Sequence, residues 1–276
     1  MAMCGRFHFP YRLCLAVLAI AIGAGVNDAR CEQNLPAGPV VDVVGTTLRV
    51  RLPNGSAREG AALVGAVLTV AAGGRTLRVR IAAAEPDARD PRGEVLLYDF
   101  RVIMPDGTEQ PLCNADPDGR RLGLPLAGRS NPAGILVSNE PDIFELFCTA
   151  EPQGKCVRFG YAPWRQAPGG RSMQDWFNSC VRMMRGDYCG DGRPFTRDGT
   201  LIDIYDRIGV QASDDPSISF EAAWGPDGAI CVAHTRVPDI IDLDGLAKAC
   251  PRLAGKLGPA VCNEDASGGL VINRSR

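Results

Sequence analysis

The chain has 276 residues, with 30 Lys and Arg against 32 Asp and Glu, two His and eleven Cys. The near-neutral balance excludes the basic excess expected of a nucleic-acid binder. Only one His, His234, lies beyond the first ten residues, which excludes sites built on several histidines, multi-His metal centres included.

Arg6 and Arg12 precede an uncharged apolar run, Leu13 to Val26. Its 14 residues are too few to cross a bilayer core of roughly 30 Å as a helix. A basic start followed by such a run reads as a secretory signal peptide over 1–29. Small residues at Gly23, Ala24, Gly25 and Ala29 place the cleavage within 24–31. Cys31 follows closely, but Arg30 stands where lipidation needs a small residue, and Asp28 where it needs an aliphatic one. The expectation is an exported protein, periplasmic or secreted, that carries no lipid on Cys31 and no membrane span once the leader is removed. Lys is confined to Lys155, Lys248 and Lys256 against 27 Arg, and Ala and Gly are abundant. That composition suggests a GC-rich bacterial genome.

Residues 36–112 read as a small all-β domain. Thr47 to Leu52 (TLRVRL) and Thr76 to Ile81 (TLRVRI) alternate apolar and basic residues with the period of half-buried strands. The apolar run Ala62–Ala72 lies between them, and Pro53-Asn54-Gly55 and Gly73-Gly74 punctuate turns. Glu94 to Met104 predicts another strand, with Leu96, Tyr98, Phe100, Val102 and Met104 on one face. Arg49, Arg51, Arg78 and Arg80 then form a solvated stripe.

Residues 113–265 read as a second, Cys-rich domain, followed by a C-terminal tail over 266–276. Strands are expected at Asp142–Cys148, Cys156–Tyr161 and Leu201–Asp206, with a hairpin of Ser217–Trp224 and Ala229–His234 about Gly225-Pro-Asp-Gly228. Ser172-Met-Gln-Asp175 is a capping-box variant, and Met173, Trp176, Phe177, Cys180 and Met184 follow at helical spacing until Gly186. A short helix is expected near Leu243–Ala249 before Cys250-Pro251. The class is α+β: an N-terminal all-β region, then a disulfide-braced β-rich domain with one principal helix.

Cys113, Cys148, Cys156, Cys180, Cys189, Cys231, Cys250 and Cys262 form an even set in an exported chain, which reads as four disulfides. Proximity in sequence suggests Cys148–Cys156 and Cys250–Cys262, with Cys113, Cys180, Cys189 and Cys231 pairing among themselves. No two of the eight stand at the C-x₂-C spacing of a zinc site, and the even count leaves no odd thiol for catalysis.

The stretch Cys180-Val-Arg-Met-Met-Arg-Gly-Asp-Tyr-Cys-Gly-Asp-Gly192 resembles the signature of the ADYC domain family of bacterial proteins, with Gly186 in place of the naming Ala before Asp187, Tyr188 and Cys189. Lys155-Cys156-Val-Arg-Phe-Gly-Tyr161 with Pro163-Trp164, Thr196-Arg-Asp-Gly-Thr200, Asp203 to Asp206 (DIYD) and Glu221-Ala-Ala-Trp-Gly225 extend the resemblance in order. It implies a domain, not an activity. Asp187 suits an acceptor of backbone N–H bonds in the turn after the helix, Tyr188 a buried ring with a partnered hydroxyl, and Cys189 a bridge that pins the turn.

Two function classes remain. In the first the chain is a non-enzymatic binding or structural module of the envelope or secretome, with an envelope or extracellular partner and no cofactor. The absence of a His- or Cys-based catalytic set, beside Trp164, Trp176 and Trp224, motivates it. In the second, two of Asp187, Asp191, Asp198, Asp203 and Asp206 converge as the general acid and base of a hydrolase. Asp203 and Asp206 stand three apart on a strand and so face opposite ways. Asn114-Ala-Asp116-Pro-Asp118-Gly119 matches half an EF-hand loop, but Pro125 replaces the bidentate Glu, so no metal is expected. His234 lacks a G-x-S-x-G nucleophile elbow, and no catalytic residue is assigned.

Overall fold

The alternating segments pair into antiparallel sheets, and their apolar faces enclose two cores. The computed structural model describes residues 4–7, 39–138, 140–265 and 268–276. In chain order these form β1 (Cys4–Phe7), β2 (Val40–Val44), β3 (Thr47–Arg51), β4 (Ala57–Glu59), β5 (Val67–Ala72), β6 (Arg75–Pro86), β7 (Leu96–Ile103), β8 (Glu109–Pro111), β9 (Gly123–Ala127), β10 (Arg129–Ser130), β11 (Leu136–Ser138) and β12 (Phe144–Cys148). Then come α1 (Pro152–Arg158), α2 (Gln174–Arg185), β13 (Ile202–Asp206), β14 (Phe220–Gly225), β15 (Gly228–Val232), α3 (Leu243–Ala249) and β16 (Val271–Ser275). The expected leader and Cys31 lie outside the described residues, apart from the backbone of β1. No helix among the described residues is long and apolar enough to cross a membrane.

The large sheet runs β1-β5-β6-β7-β9-β12, with β8 also on β7. It separates the two cores because alternate residues of one strand face opposite ways. Tyr98 and Phe100 of β7 and Phe144 and Leu146 of β12 pack with Val43, Leu48, Val50 and Leu68 under the β2-β3-β4 sheet. Leu97 of β7, Leu124 and Leu126 of β9 and Phe147 of β12 pack on the other side, against α1, α2 and the four-stranded sheet β13-β16-β14-β15. The β2–β3 turn is fastened to β7 by two bonds: Leu48 N–H donates to the Tyr98 hydroxyl at 3.0 Å in the core, and Leu96 N–H to Thr46 Oγ1 at 2.6 Å at its edge.

This arrangement corrects the division at residue 112. Strands from both sides of it share one sheet, and both cores draw on both sides. The buried guanidinium of Arg158 on α1 crosses the same line, reaching Asp87 at 2.7 Å and Asp116 at 3.1 Å. Nor is 266–276 a tail. Its β16 lies inside the second sheet between β13 and β14, with Val271, Ile272, Asn273 and Ser275 buried.

The segment expected as a strand over 156–161 begins inside α1. Pro152 at the first turn pre-sets the helical φ, and Gly154 admits the Cys148 carbonyl, which a Cβ there would meet at 2.2 Å. The α2 helix ends as expected at Gly186, in the left-handed region at φ 60°. The capping box does not form: Ser172 Oγ accepts from Gln174 N–H, while Asp175 turns to Arg171. Part of the arginine stripe is paired. Arg49 and Arg51 meet buried Asp42, and Arg80 meets Glu109.

The eight cysteines form four bridges: Cys113–Cys148, Cys156–Cys180, Cys189–Cys250 and Cys231–Cys262. The suggested pairs Cys148–Cys156 and Cys250–Cys262 are therefore wrong. α1 lies against α2 with Cys156 buried, so its partner is Cys180 on the neighbouring helix. Cys148 ends β12 beside the segment that leaves β8, where Gly123 makes room, since a Cβ there would lie 3.1 Å from Cys113 Sγ. After Cys250 a 3-10 turn and a bridge between Val232 and Leu257 carry the chain back along β15, which puts Cys262 on Cys231.

Non-reducing peptide mapping is expected to recover these four linkages, and a Cys148–Cys156 or Cys250–Cys262 peptide would contradict the fold. A chain ending at Asp265 loses the inner strand of the second sheet. It is expected to lose its cooperative thermal transition and near-UV circular dichroism, whereas a native-like spectrum would show β16 to be dispensable.

Candidate functional site

The Asp187-Tyr188-Cys189 turn follows α2 because Gly186 reverses the chain there. A Cβ at Gly186 would lie 2.8 Å from the Phe195 carbonyl oxygen, so Gly rather than Ala suits this backbone. Asp187 is fully buried. Its carboxylate accepts from Gly190 N–H at 2.9 Å and Gly192 N–H at 3.0 Å, and pairs with the Arg182 guanidinium. Gly190 and Gly228 let the turn touch the β14–β15 hairpin, since a Cβ at Gly190 would sit 1.9 Å from the Asp227 carbonyl oxygen. Arg252 closes the turn from outside, donating to the carbonyls of Tyr188 at 2.6 Å and Cys189 at 2.7 Å, while Cys189 is bridged to Cys250.

Tyr188 stacks on Trp224 with ring centroids 5.1 Å apart. Its hydroxyl donates to Glu221 Oε1 at 2.8 Å and accepts from Arg236 N–H at 2.9 Å. Arg236 grips the same carboxylate with two nitrogens, at 2.9 and 3.0 Å, and reaches Thr196 Oγ1 at 3.3 Å. Asn273 on β16 donates to Glu221 Oε2 at 2.6 Å and accepts from the Trp224 indole at 2.8 Å. Burial alone would raise the Glu221 carboxyl, but the Arg236 charge and the bonds from Arg236 and Asn273 hold it below the usual carboxylate range. Burial pushes the Tyr188 hydroxyl well above its ordinary value.

Motif segments that are separate in sequence thus meet in pairs. Tyr188 reaches Glu221, Cys156 reaches Cys180, and Tyr161 donates to Asp206 Oδ2 at 2.9 Å. The ADYC domain model matches residues 60–238, more than half of the chain and across residue 112. The chain belongs to the ADYC domain family. No curated protein and no solved structure matches it significantly. Within the ADYC chain, Arg236 and Asn273 were not singled out from sequence. The one signal for either was a basic residue close after a strand whose partner strand carries Glu221.

Each of the five carboxylates considered for hydrolysis has its own surroundings, and Asp187 is fully buried. Asp191 pairs with Arg193 at the surface. Asp203 accepts from Ser213 Oγ at 2.5 Å and Asp214 N–H at 2.9 Å, and Asp206 accepts from the N–H groups of Ile208, Val210 and Gln211. These two therefore cap opposite ends of one loop. Asp198 is exposed on a cleft of about 500 Å³ with Glu151, Lys155 and Asp116. Burial alone would raise the Asp116 carboxyl, but bonds from the Arg120 and Asp118 N–H groups and Thr149, with the Arg158 charge, hold it below the ordinary range. Asp118 pairs with Arg89, so both acids of the half EF-hand meet guanidinium groups. His234 is half-buried past β15, with Nδ1 3.3 Å from the Thr235 carbonyl oxygen.

Of the tryptophans, Trp224 is enclosed and Trp176 nearly so, whereas Trp164 is half-exposed. It lines an apolar cleft of about 280 Å³ with Val44, Leu126, Leu136, Pro141 and Pro163. Gly45, at φ 62°, brings the β2–β3 turn onto the indole, where a Cβ would stand 3.4 Å from the ring. Val44 and Val137 are exposed in the same part of the surface.

Removing one partner of the buried pair leaves the other charge unpaired, a loss of about 3–5 kcal/mol. Arg236→Met is expected to lower the denaturation free energy by that order. Because the folded Glu221 carboxyl titrates below its unfolded value, its contribution is full above the ordinary carboxylate range and is lost as pH falls through the depressed value. Denaturant midpoints of the wild type should therefore fall with acid more steeply than those of Glu221→Gln, and parallel pH profiles would contradict this.

Proposed function

We propose that this ADYC protein is exported by a bacterium after removal of a leader ending within 24–31, and acts in the envelope or outside the cell as a disulfide-braced, non-enzymatic binding module. Its recognition surface is the Trp164 cleft. One observation carries the reading: Asp187, Asp203 and Asp206 are engaged in turns and loops, while the apolar face of Trp164 stays open. Ligand pockets are mostly apolar with a few placed polar groups, and beside this one Glu94 accepts from both Trp164 Nε1 at 3.4 Å and Arg165 Nε at 2.7 Å. Four bridges support an oxidising compartment, where such bonds persist.

Because Trp176 and Trp224 are packed away, ligand-induced changes in tryptophan fluorescence should report Trp164. Titration with envelope glycans and with a chemically defined peptide library is expected to give a saturable fluorescence change. Trp164→Ala should abolish it while shifting the thermal midpoint by only a few degrees. Unchanged binding by Trp164→Ala, or turnover of a glycosidic or peptide bond that Asp198→Asn stops, would overturn the reading.

A further inference from the structure

One acidic side chain of the large sheet is buried without being satisfied. Alternate residues of β12 face opposite ways, so Phe144 and Leu146 enter the core under the β2-β3-β4 sheet while Glu145 points away from it. The short β10–β11 pair lies against β12 on that side, and its register breaks between Arg129 and Ser130. Such a break re-aims the groups beside it, and Ser130 N–H donates to Glu145 Oε1 at 3.1 Å. Glu145 is only 7% exposed, yet its Oε2 has no partner, and neither has the buried Ser130 hydroxyl. Both residues line a cleft of about 300 Å³ with Ala71, Ala72, Ile143 and Arg129. Arg129 is exposed on this cleft, but its guanidinium does not reach Glu145 Oε2.

A buried carboxylate oxygen without a donor costs the desolvation of that group, and a cationic donor relieves it best. The residues present select the kind of cation. One carboxylate oxygen and one hydroxyl are too few to replace the oxygen shell of a metal ion. A primary ammonium suits them, because its three N–H donors turn freely onto separate acceptors. Ala71, Ala72 and Ile143 give a short aliphatic stem an apolar wall, and the volume lies at the small end of ligand sites. Arg129 adds a second demand, since a positive group on the same cleft repels a second cation and attracts an anion. We propose that this cleft binds a small amino acid as its zwitterion. The ammonium donates to Glu145 Oε2 and Ser130 Oγ, and the carboxylate meets Arg129. The site is separate from the Trp164 cleft, so either reading stands or falls alone.

The test is isothermal titration calorimetry of the full chain with glycine, β-alanine and γ-aminobutyrate. Butylamine, which lacks the carboxylate, and butyrate, which lacks the ammonium, are the controls. At least one of the amino acids is expected to titrate saturably to a single site, and butyrate is not. Glu145→Gln should weaken that binding at least about tenfold, the worth of one charge-assisted hydrogen bond. Arg129→Ala should weaken the amino acid and leave butylamine unchanged. Gln at 145 keeps an acceptor for Ser130 N–H and brings a donor for the Ser130 hydroxyl, so its thermal midpoint should equal or exceed that of the wild type. The bound amino acid should raise the midpoint of the wild type and not that of Glu145→Gln. No saturable heat from any of the three amino acids, or binding that Glu145→Gln leaves intact, would overturn the proposal. So would butylamine binding as well as the amino acids do with Arg129→Ala without effect. A Glu145→Gln protein that melts well below the wild type would equally overturn it, since the carboxylate would then be a structural group.

Discussion

The fold of the second half depends on keeping one carboxylate out of water. Glu221 is fully buried, and the desolvation of an ion costs several kcal/mol even after the protein relaxes. That cost is offset only if every lone pair finds a donor in good geometry. The donors come from three other places in the chain: Tyr188 from the turn after α2, Arg236 from beyond β15, and Asn273 from β16. A shift of β16 by one residue would turn Asn273 to the other face and strand both the carboxylate and the Trp224 indole. The network thus selects one register among those that apolar packing alone would tolerate. It explains why a strand so close to the C-terminus, beyond the matched family region, belongs to the core.

The large sheet extends the constraint to the first half. Since β7, β9 and β12 present apolar residues on both faces, neither core can be completed without the other. Arg158 joins them a second time, because its guanidinium is shared by Asp87 after β6 and Asp116 before β9. Three of the four bridges act on crossings and turns, whereas Cys156–Cys180 joins the packed helices α1 and α2. Cys113–Cys148 pins the strand-poor crossing between β8 and β9, and Cys189–Cys250 and Cys231–Cys262 pin the turns that flank the Glu221 network. Each restricts the unfolded chain, worth about 2–4 kcal/mol.

The elements most legible in sequence are those whose pattern is local. Thr47–Arg51, Leu96–Ile103 and Ile202–Asp206 alternate, and the α2 helix has a clear period and a Gly stop. Helix α1 was hidden because Cys156 to Tyr161 also reads as alternating, and only Pro152 marks a helix start. β16 was hidden because its five residues follow a Gly-rich stretch and carry Asn and Arg, which alternation alone assigns to solvent. The boundary at 112 followed cysteine density, which reports where bridges lie and not where sheets end. Pairing failed for a related reason. Nearness in sequence brings thiols together only when the chain between them forms a loop, and α1 and the 3-10 turn after Cys250 are not loops. The Tyr188–Glu221 bond spans 33 residues, so the motifs could be recognised singly while their contact depended on the fold.

The same burial bears on what the family signature can do. A group that acts on a substrate must reach it, yet Asp187 and Glu221 have no exposed surface and Tyr188 is enclosed with them. Opening that network would remove the donors that make it affordable, so access and stability conflict there. No such conflict exists at Trp164. Its cleft is formed by a turn, two prolines and the edges of β9 and β11, and Glu94 bonds the indole from the rim without closing the face. A ligand could displace water from that face without breaking any core bond. On the proposed reading the signature makes the scaffold rigid, and recognition falls to surfaces it leaves undistorted. This division is the physical argument for a binding module over a carboxylate hydrolase.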